Sequence, residues 1–501
     1  MKPGKVYLVG AGPGDLSLIT YKAVEAIRGA DVIIYDYLAN KKLLEMAQTG
    51  AEKIYVGKKG ASHTLPQGGI NQLLVEKALT GKTIARLKGG DPFIFGRGGE
   101  EIEELIKHDI PFEVVPGITS AIAVPAYAGI PLTHRDFTST VAFVTGHENP
   151  DKGYSAIAWD KISTGVGTLV FLMGVKNIPN ICRRLIENGR PETTPAAVIR
   201  WGTTNKQQAV TGTLANIEQR CKEENIKPPS IFVVGEVVTL REKMNWFEKR
   251  PLFGKRVVVT RARAQASGMV KRLTGLGAEV IEFPTIRIEP PEDNYVALDQ
   301  AITELDKYDW LIFTSVNGVK AFFKRLKTAL GDIRRLGGIK ISAIGSQTAQ
   351  QLEDFQIIPD FVPAEYRAEG IIKGLTRLGI SGKKVLIPRA REAREILPEE
   401  LRKAGADVLV APAYKTVPDF DPAAKELILS GGADVVTFAS SSTVTNFAGL
   451  FTENELNRIK ENTKIASIGP ITSETARKLG LEPHIMPSTY TIDALVAEIV
   501  M

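Results

Sequence analysis

The run Arg86-Leu-Lys-Gly-Gly-Asp-Pro-Phe-Ile-Phe-Gly-Arg-Gly-Gly-Glu-Glu101 gathers five glycines, two arginines, a lysine and three carboxylates within sixteen residues. Thr83-Ile-Ala-Arg-Leu87 before it reads as a short buried strand, so the glycines begin where a strand ends. Glycine there permits positive φ and lets a ligand approach the backbone without meeting a Cβ. Arg86, Lys88 and Arg97 are candidates to meet an anion, and the arginine fork matches a carboxylate. The pattern points to a ligand loop rather than a plain turn.

Two neighbouring stretches sharpen it. The chain opens Val6-Tyr-Leu-Val-Gly-Ala-Gly-Pro-Gly-Asp15, a strand running into a glycine turn. Its glycines depart from the dinucleotide spacing, and Pro13 removes an N–H that a phosphate cradle would use. Further on comes Val114-Val-Pro-Gly-Ile-Thr-Ser120, leading to Pro131-Leu-Thr-His-Arg135. With Tyr35-Asp36, Val56-Gly-Lys58, Met173-Gly174, Gly202-Thr203 and Val233-Val-Gly-Glu236, these stretches closely resemble the uroporphyrinogen-III C-methyltransferases of the tetrapyrrole methylase family, over roughly residues 4–244.

That resemblance implies a methylase fold of two α/β subdomains and transfer of methyl groups from S-adenosylmethionine to uroporphyrinogen III, giving precorrin-2. It implies a donor site of Pro13, Gly89, Gly90, Asp91, Ile94, Thr119, Ser120, Met173 and Gly202. Asp91 would face the donor's hydroxyl or amino groups. Arg97 and Arg135 would hold the acceptor's acetate and propionate arms, with Glu100 and His147 at its pyrrole N–H groups. Asp36 and Lys58 occupy the positions of proton acceptor and donor, and methylation at a ring carbon does require a base. The family is typically homodimeric. A nicotinamide oxidoreductase is the rival from a different class, since Asp36 has the spacing of a ribose-binding acid. It explains neither Gly89–Asp91 nor Pro116–Ser120. A methylase acting on ribosomal RNA is a second rival.

The elements behind these loops alternate apolar runs with amphipathic stretches, the mark of parallel sheets wrapped by helices. After residues 241–253, an aperiodic charged segment whose 245–253 part reads as a linker, the chain repeats itself. Gly254-Lys-Arg-Val-Val-Val-Thr-Arg-Ala-Arg263 recurs as Gly382-Lys-Lys-Val-Leu-Ile-Pro-Arg-Ala-Arg391. Asp309-Trp-Leu-Ile-Phe-Thr-Ser315 answers Asp434-Val-Val-Thr-Phe-Ala-Ser440, and Lys340-Ile-Ser-Ala-Ile-Gly345 answers Lys464-Ile-Ala-Ser-Ile-Gly469. A period of 124 to 128 residues is too long for a solenoid and implies two duplicated parallel-sheet lobes with a cleft between them. Strand ends carry hydroxyls at Ser315, in Gly345-Ser-Gln-Thr348, at Ser440 and at Thr472, either as helix caps or as holders of a carboxylate-rich ligand.

This half resembles the uroporphyrinogen-III synthase family over roughly residues 254–501, on the two-lobed duplication, Tyr414 in Pro412-Ala-Tyr-Lys-Thr416, and Thr472 in Ile468-Gly-Pro-Ile-Thr472. The family pattern implies one lobe of about 254–288 plus 415–501 and another of about 292–413. It implies cofactor-free closure of hydroxymethylbilane to uroporphyrinogen III, with Tyr414 assisting departure of the hydroxyl and Ser315, Ser440 and Thr472 holding substrate. The alternative is a methylase of another corrinoid precursor fused to a non-catalytic two-lobed anion-binding module. The product of one half would be the substrate of the other, so the halves are expected to act in sequence, toward sirohaem or cobalamin.

Composition sets the frame. The 501 residues suffice for two to four domains, and 44% apolar with 24% charged content is ordinary for a globular protein. No apolar run reaches the length of a membrane span, and the sequence starts directly with a strand, so neither membrane nor export is expected. Cys182 and Cys221 match no zinc or disulfide spacing, and the five histidines form no ligand group. A cytoplasmic, metal-free enzyme is the expectation. The net charge of +6 comes without basic clusters, which argues against nucleic acid and suits a polycarboxylate substrate.

Overall fold

In this computed structural model, residues 2–57, 65–147, 155–261, 263–363, 368–391 and 395–501 are described. The chain divides into one compact unit of residues 1–255 with 273–279, and another of 256–272 with 280–501.

The first unit begins with the apolar runs β1 (Val6–Gly10), β2 (Val32–Tyr35), β3 (Glu52–Tyr55), β4 (Ile84–Lys88) and β5 (Phe112–Val115). They form a parallel sheet in the order β3-β2-β4-β1-β5. Alternation along each strand feeds two cores. Val6, Leu8, Val32, Ile34 and Ile84 pack on one face. Val9, Ile33, Ala85 and Leu87 pack on the other. With β1 and β4 central, their C-terminal ends lie side by side, and the chain reverses direction there in the two glycine turns.

A second sheet follows, from β6 (Val141–Thr145), β7 (Thr168–Leu172), β8 (Pro195–Arg200), β9 (Gln208–Thr213) and β10 (Ser230–Val234). Its order is β6-β7-β10-β8-β9, and only β6 and β7 run parallel. The two α/β subdomains expected of the methylase half are thus one parallel and one mixed sheet.

Residues 245–253, expected as a linker, are packed into this unit instead. Phe247 and Leu252 are buried. Trp246 Nε1 donates to the Ala126 carbonyl at 3.1 Å, and Arg241 donates to the Ala128 carbonyl at 2.6 Å. A side chain at Gly129 (φ +72) would strike the Met244 carbonyl, so backbone meets backbone there. The aperiodic charge of this segment reflects polar docking, not freedom.

The second unit carries β11 (Arg256–Val259), β12 (Glu279–Glu282), β13 (Ile286–Glu289), β14 (Trp310–Phe313), β15 (Lys340–Ala343), β16 (Lys384–Ala390), β17 (Asp407–Pro418), β18 (Val435–Phe438) and β19 (Lys464–Ser467). Two sheets form, β12-β11-β18-β19 and β13-β17-β16-β14-β15. The internal repeat maps onto them strand for strand, since β11, β12, β18 and β19 answer β16, β17, β14 and β15. Each sequence copy therefore gives its first two matching strands to one lobe and its last two to the other. The crossing falls slightly away from its expected place. β13 pairs antiparallel with residues 415–418, so both segments belong to the second lobe's sheet, which is not purely parallel.

Candidate functional site

Three loops meet at the C-terminal ends of β1, β4 and β5. Gly12 and Gly90 exchange backbone hydrogen bonds at 3.2 and 2.8 Å. A Cβ on Gly10 would lie 2.4 Å from the Gly117 nitrogen, and one on Gly117 would lie 2.3 Å from the Gly90 carbonyl oxygen. Only glycine permits this triple approach. Asp91 ties the loops further: Oδ1 accepts from the N–H groups of Phe93 (2.8 Å) and Ile94 (3.2 Å), and Oδ2 from that of Gly117 (3.0 Å).

Above the loops lies a cavity of about 760 Å³. Pro13, Gly89, Gly90, Asp91, Ile94, Thr119, Ser120, Met173 and Gly202 all line it, together with His147. Five separated stretches thus converge on one space. Its walls mix apolar side chains (Leu38, Val124, Leu172, Ile199, Trp201) with several glycines and a few polar groups, the make-up of a small-molecule site. Asp91 lines the cavity, although three backbone N–H groups already occupy its carboxylate.

Strain gathers at the same place. Phe95 (φ +53), Met173 (φ +59) and Trp201 (φ +48) line the cavity in left-handed conformations, and Arg97 (φ +60) and Thr203 (φ +67) stand beside it. Left-handed non-glycine residues persist only where their surroundings over-determine them, and such positions cluster at functional sites. Nothing in the sequence signals them, because none is glycine or asparagine.

The basic residues of the loop divide. Arg86 and Lys88 are buried and turned to Glu101, itself fully buried: Lys88 Nζ lies 2.5 Å and Arg86 Nε 3.3 Å from its Oε1. They are internal partners of a carboxylate, not receivers of a ligand anion as their types suggested. Burial pulls the Lys88 pKa down, helped by Arg86 and opposed by Glu101. Arg86 also reaches Asp36, 3.4 Å away and half-buried at the end of β2. Asp36 Oδ1 accepts from Leu38 N–H at 3.1 Å, and Tyr37, Leu38 and Ala39 continue into the cavity wall. Lys58 lies outside the described residues.

Arg97 and Glu100 grip each other in an exposed two-point pair of 2.8 and 2.6 Å at the start of the helix Gly98–Lys107. This pairing raises the arginine's pKa and lowers that of Glu100. Arg135 is exposed in the turn closed by His134 and Thr138. Neither arginine lines the cavity, whereas His147 does.

In the second unit, Tyr414 on β17 is buried in the core with its hydroxyl 3.0 Å from Ser315 Oγ. Ser315 in turn caps the helix Val316–Leu330, accepting from Gly318 N–H at 3.0 Å. Ser440 caps the helix Ser441–Gly449 in a capping box with Thr443. Thr472 is buried one turn into the neighbouring helix Pro470–Lys478. The two pairs belong to different lobes, and Arg261 on one donates to Gln347 on the other at 3.4 Å. Among the described residues no group of histidines, cysteines and acids is placed to hold a metal, and no helix is long and apolar enough to cross a membrane.

Comparison with known proteins follows this division. Residues 5–218 match the family model of tetrapyrrole (corrin/porphyrin) methylases, and residues 267–497 that of uroporphyrinogen-III synthase HemD. A porphyrin biosynthesis protein HemD from Ruminiclostridium josui is 39% identical over 99% of this chain and 97% of its own. A uroporphyrinogen-III C-methyltransferase from Bacillus subtilis is 54% identical over 49% of this chain and 95% of its own. A crystal structure of uroporphyrin-III C-methyl transferase from Thermus thermophilus with S-adenyl homocysteine is 39% identical, covering 47% of this chain and all of that one, at a TM-score of 0.41. The chain belongs to the family of tetrapyrrole-biosynthesis fusion enzymes in which a uroporphyrinogen-III C-methyltransferase is followed by a uroporphyrinogen-III synthase.

Proposed function

We propose that the first unit methylates uroporphyrinogen III twice to precorrin-2, with the cavity of about 760 Å³ as the S-adenosylmethionine site. The convergence of five separated stretches on that one cavity carries the reading. When bound, S-adenosylmethionine supplies an electrophilic methyl group on a sulfonium. The chain's own residues position the partners and manage one proton. The glycine loops and Asp91 shape the donor pocket, while Thr119, Ser120 and Met173 line it. Arg97, Glu100 and Arg135 stand outside the pocket, on surface that a tetrapyrrole with carboxylate arms can cover, while His147 lines the pocket itself. Asp36 takes the proton released when the ring carbon forms its new bond, with Lys58 as the acid.

The second unit closes hydroxymethylbilane to uroporphyrinogen III with loss of water and without a cofactor. Tyr414, oriented by Ser315, donates to the departing hydroxyl, and Ser440 and Thr472 hold the substrate from the other lobe. The two activities act in sequence on the route to sirohaem or cobalamin. The enzyme works as a cytoplasmic homodimer joined through the methylase half.

Calorimetric titration with S-adenosylhomocysteine tests the donor site. Ile94 is partly exposed at the cavity wall, so Ile94→Arg fills the space without emptying a core. The variant should lose most donor affinity while the synthase rate stays at the parent value. Retained affinity, or binding of NAD in place of S-adenosylhomocysteine, refutes the assignment.

A further inference from the structure

The packed segment 245–250 reaches the donor cavity through two hydrogen-bonded steps. Glu248 is largely buried, its Oε2 held by Arg241 at 2.5 Å and by Asn245 at 3.1 Å. Its Oε1 accepts from Gln207 Nε2 at 2.8 Å. Gln207 is almost fully buried and has both ends engaged. Its amide also donates to the Tyr127 carbonyl at 3.2 Å, and its Oε1 accepts from Thr203 N–H at 2.9 Å. Thr203 lies between Gly202 and Thr204, which both line the cavity.

A second arm ends at the glycine turn. The Tyr127 ring packs against Trp246 and Phe247, with centroids 5.1 and 4.7 Å away, and Arg250 lies over both of the latter rings. The Tyr127 hydroxyl donates to Asp15 Oδ2 at 2.9 Å. Asp15 follows Pro13 and Gly14, two further cavity residues, and its own N–H donates to Thr203 Oγ1 at 3.2 Å. The two arms therefore meet at Thr203 and close a ring behind two of the cavity's walls, 13–15 and 201–204.

Geometry gives this ring a task beyond packing. Thr203 is buried with φ +67, a conformation a threonine leaves unless it is held. The Gln207 oxygen holds it, and Glu248 orients Gln207. Without Glu248 the amide is free to turn, the buried Thr203 N–H loses its acceptor, and the 201–204 wall relaxes.

We infer that the segment between the two enzyme halves is a clasp of the methyl-donor site, with Glu248 and Tyr127 as its positioning residues. The inference rests on reading the cavity as that site. Its function is to preset the cavity for the donor, so its loss acts on donor binding and not on the tetrapyrrole.

The test uses the full chain carrying Glu248→Ala, Glu248→Gln or Tyr127→Phe, with Ile94→Arg beside them. S-adenosylhomocysteine affinity, the two KM values, the synthase rate and Tm are measured. Tyr127→Phe removes one buried hydrogen bond to a charged group and should weaken S-adenosylhomocysteine and raise KM for S-adenosylmethionine roughly tenfold; Glu248→Ala, which removes the bonds to Arg241, Asn245 and Gln207, should do so by at least as much. KM for uroporphyrinogen III and the synthase rate should not move. Glu248→Gln keeps an acceptor for Gln207 and should recover most of the affinity. A lowered Tm with donor affinity unchanged would reduce the clasp to simple packing and overturn the inference. If Ile94→Arg also leaves affinity intact, the donor-site reading itself has failed; if Ile94→Arg abolishes binding while Glu248→Ala does not, only the clasp has. Should Glu248→Ala not fold, Tyr127→Phe decides, because it removes one hydroxyl and no packing.

Discussion

Lys88 Nζ sits 2.5 Å from Glu101 Oε1 with both side chains withdrawn from solvent, one residue before the glycine turn that floors the cavity. Arg86 shares the same oxygen, while Glu101 Oε2 is buried with no hydrogen-bond partner among the described residues. A buried charge set of this kind costs little while complete and much when broken. Glu101→Ala leaves two cations facing each other, so it should destabilise the methylase unit by about 3–5 kcal/mol. Thermal unfolding would show this as an early transition, with synthase activity persisting after methylase activity is lost. A single transition at the parent temperature would contradict it.

Arg97→Gly separates stability from function. The residue is exposed and left-handed, so glycine removes strain, and losing an exposed pair with Glu100 costs at most about 1 kcal/mol. The variant is expected to be as stable as the parent and to bind S-adenosylhomocysteine normally, yet to lose turnover. Normal turnover would remove Arg97 from the acceptor site.

Tyr414→Phe deletes the hydroxyl that meets Ser315 at 3.0 Å and leaves the buried ring in place. Closure of hydroxymethylbilane should slow by roughly tenfold without stopping, as one hydrogen bond warrants. Isomer ratios measured by chromatography should shift toward the symmetric product. A fully active variant would leave Tyr414 a core aromatic.

Burial pushes the Cys182 thiol up to about 12 and the Cys221 thiol up to about 11. Both should stay protonated and silent toward a disulfide reagent at pH 8, then react together once denaturant opens the methylase unit. Rapid labelling of the native protein would contradict the packing around the helices Ile178–Glu187 and Ile217–Glu223.

The site was legible where residue type and backbone geometry coincide. Gly10, Gly90 and Gly117 marked loops that only glycine can bring together, and nine residues named from separate stretches line one cavity. Glu101 was not legible. In the first turn of a helix an acid reads as a dipole partner, and only the tertiary placement of β4 turns it inward onto Lys88. The segment 245–253 misled for a related reason. Its Trp246 and Glu248 direct their polar groups to the Ala126 carbonyl and to Gln207, contacts with no sequence period. β13 was placed in the wrong lobe because a four-residue edge strand reads alike on either side of a crossing.

The exchange of strands between the two sequence copies also sets an order of assembly. Residues 286–418 hold every strand of one sheet, so that lobe can close once residue 418 has been made. The other cannot. β11 must wait for β18, whose pairing begins 178 residues later, with Arg256 N–H donating to Asp434. During synthesis the edge Val257-Val258-Val259 therefore stays open until Val435–Phe438 emerges, the stage at which such strands are exposed to wrong partners. A gene cut between the copies, near residue 381, would split both sheets, leaving β11 to β15 on one fragment and β16 to β19 on the other. Neither fragment could complete the synthase unit by itself, and each would find its missing strands only in the other, while the methylase unit lies whole in the first.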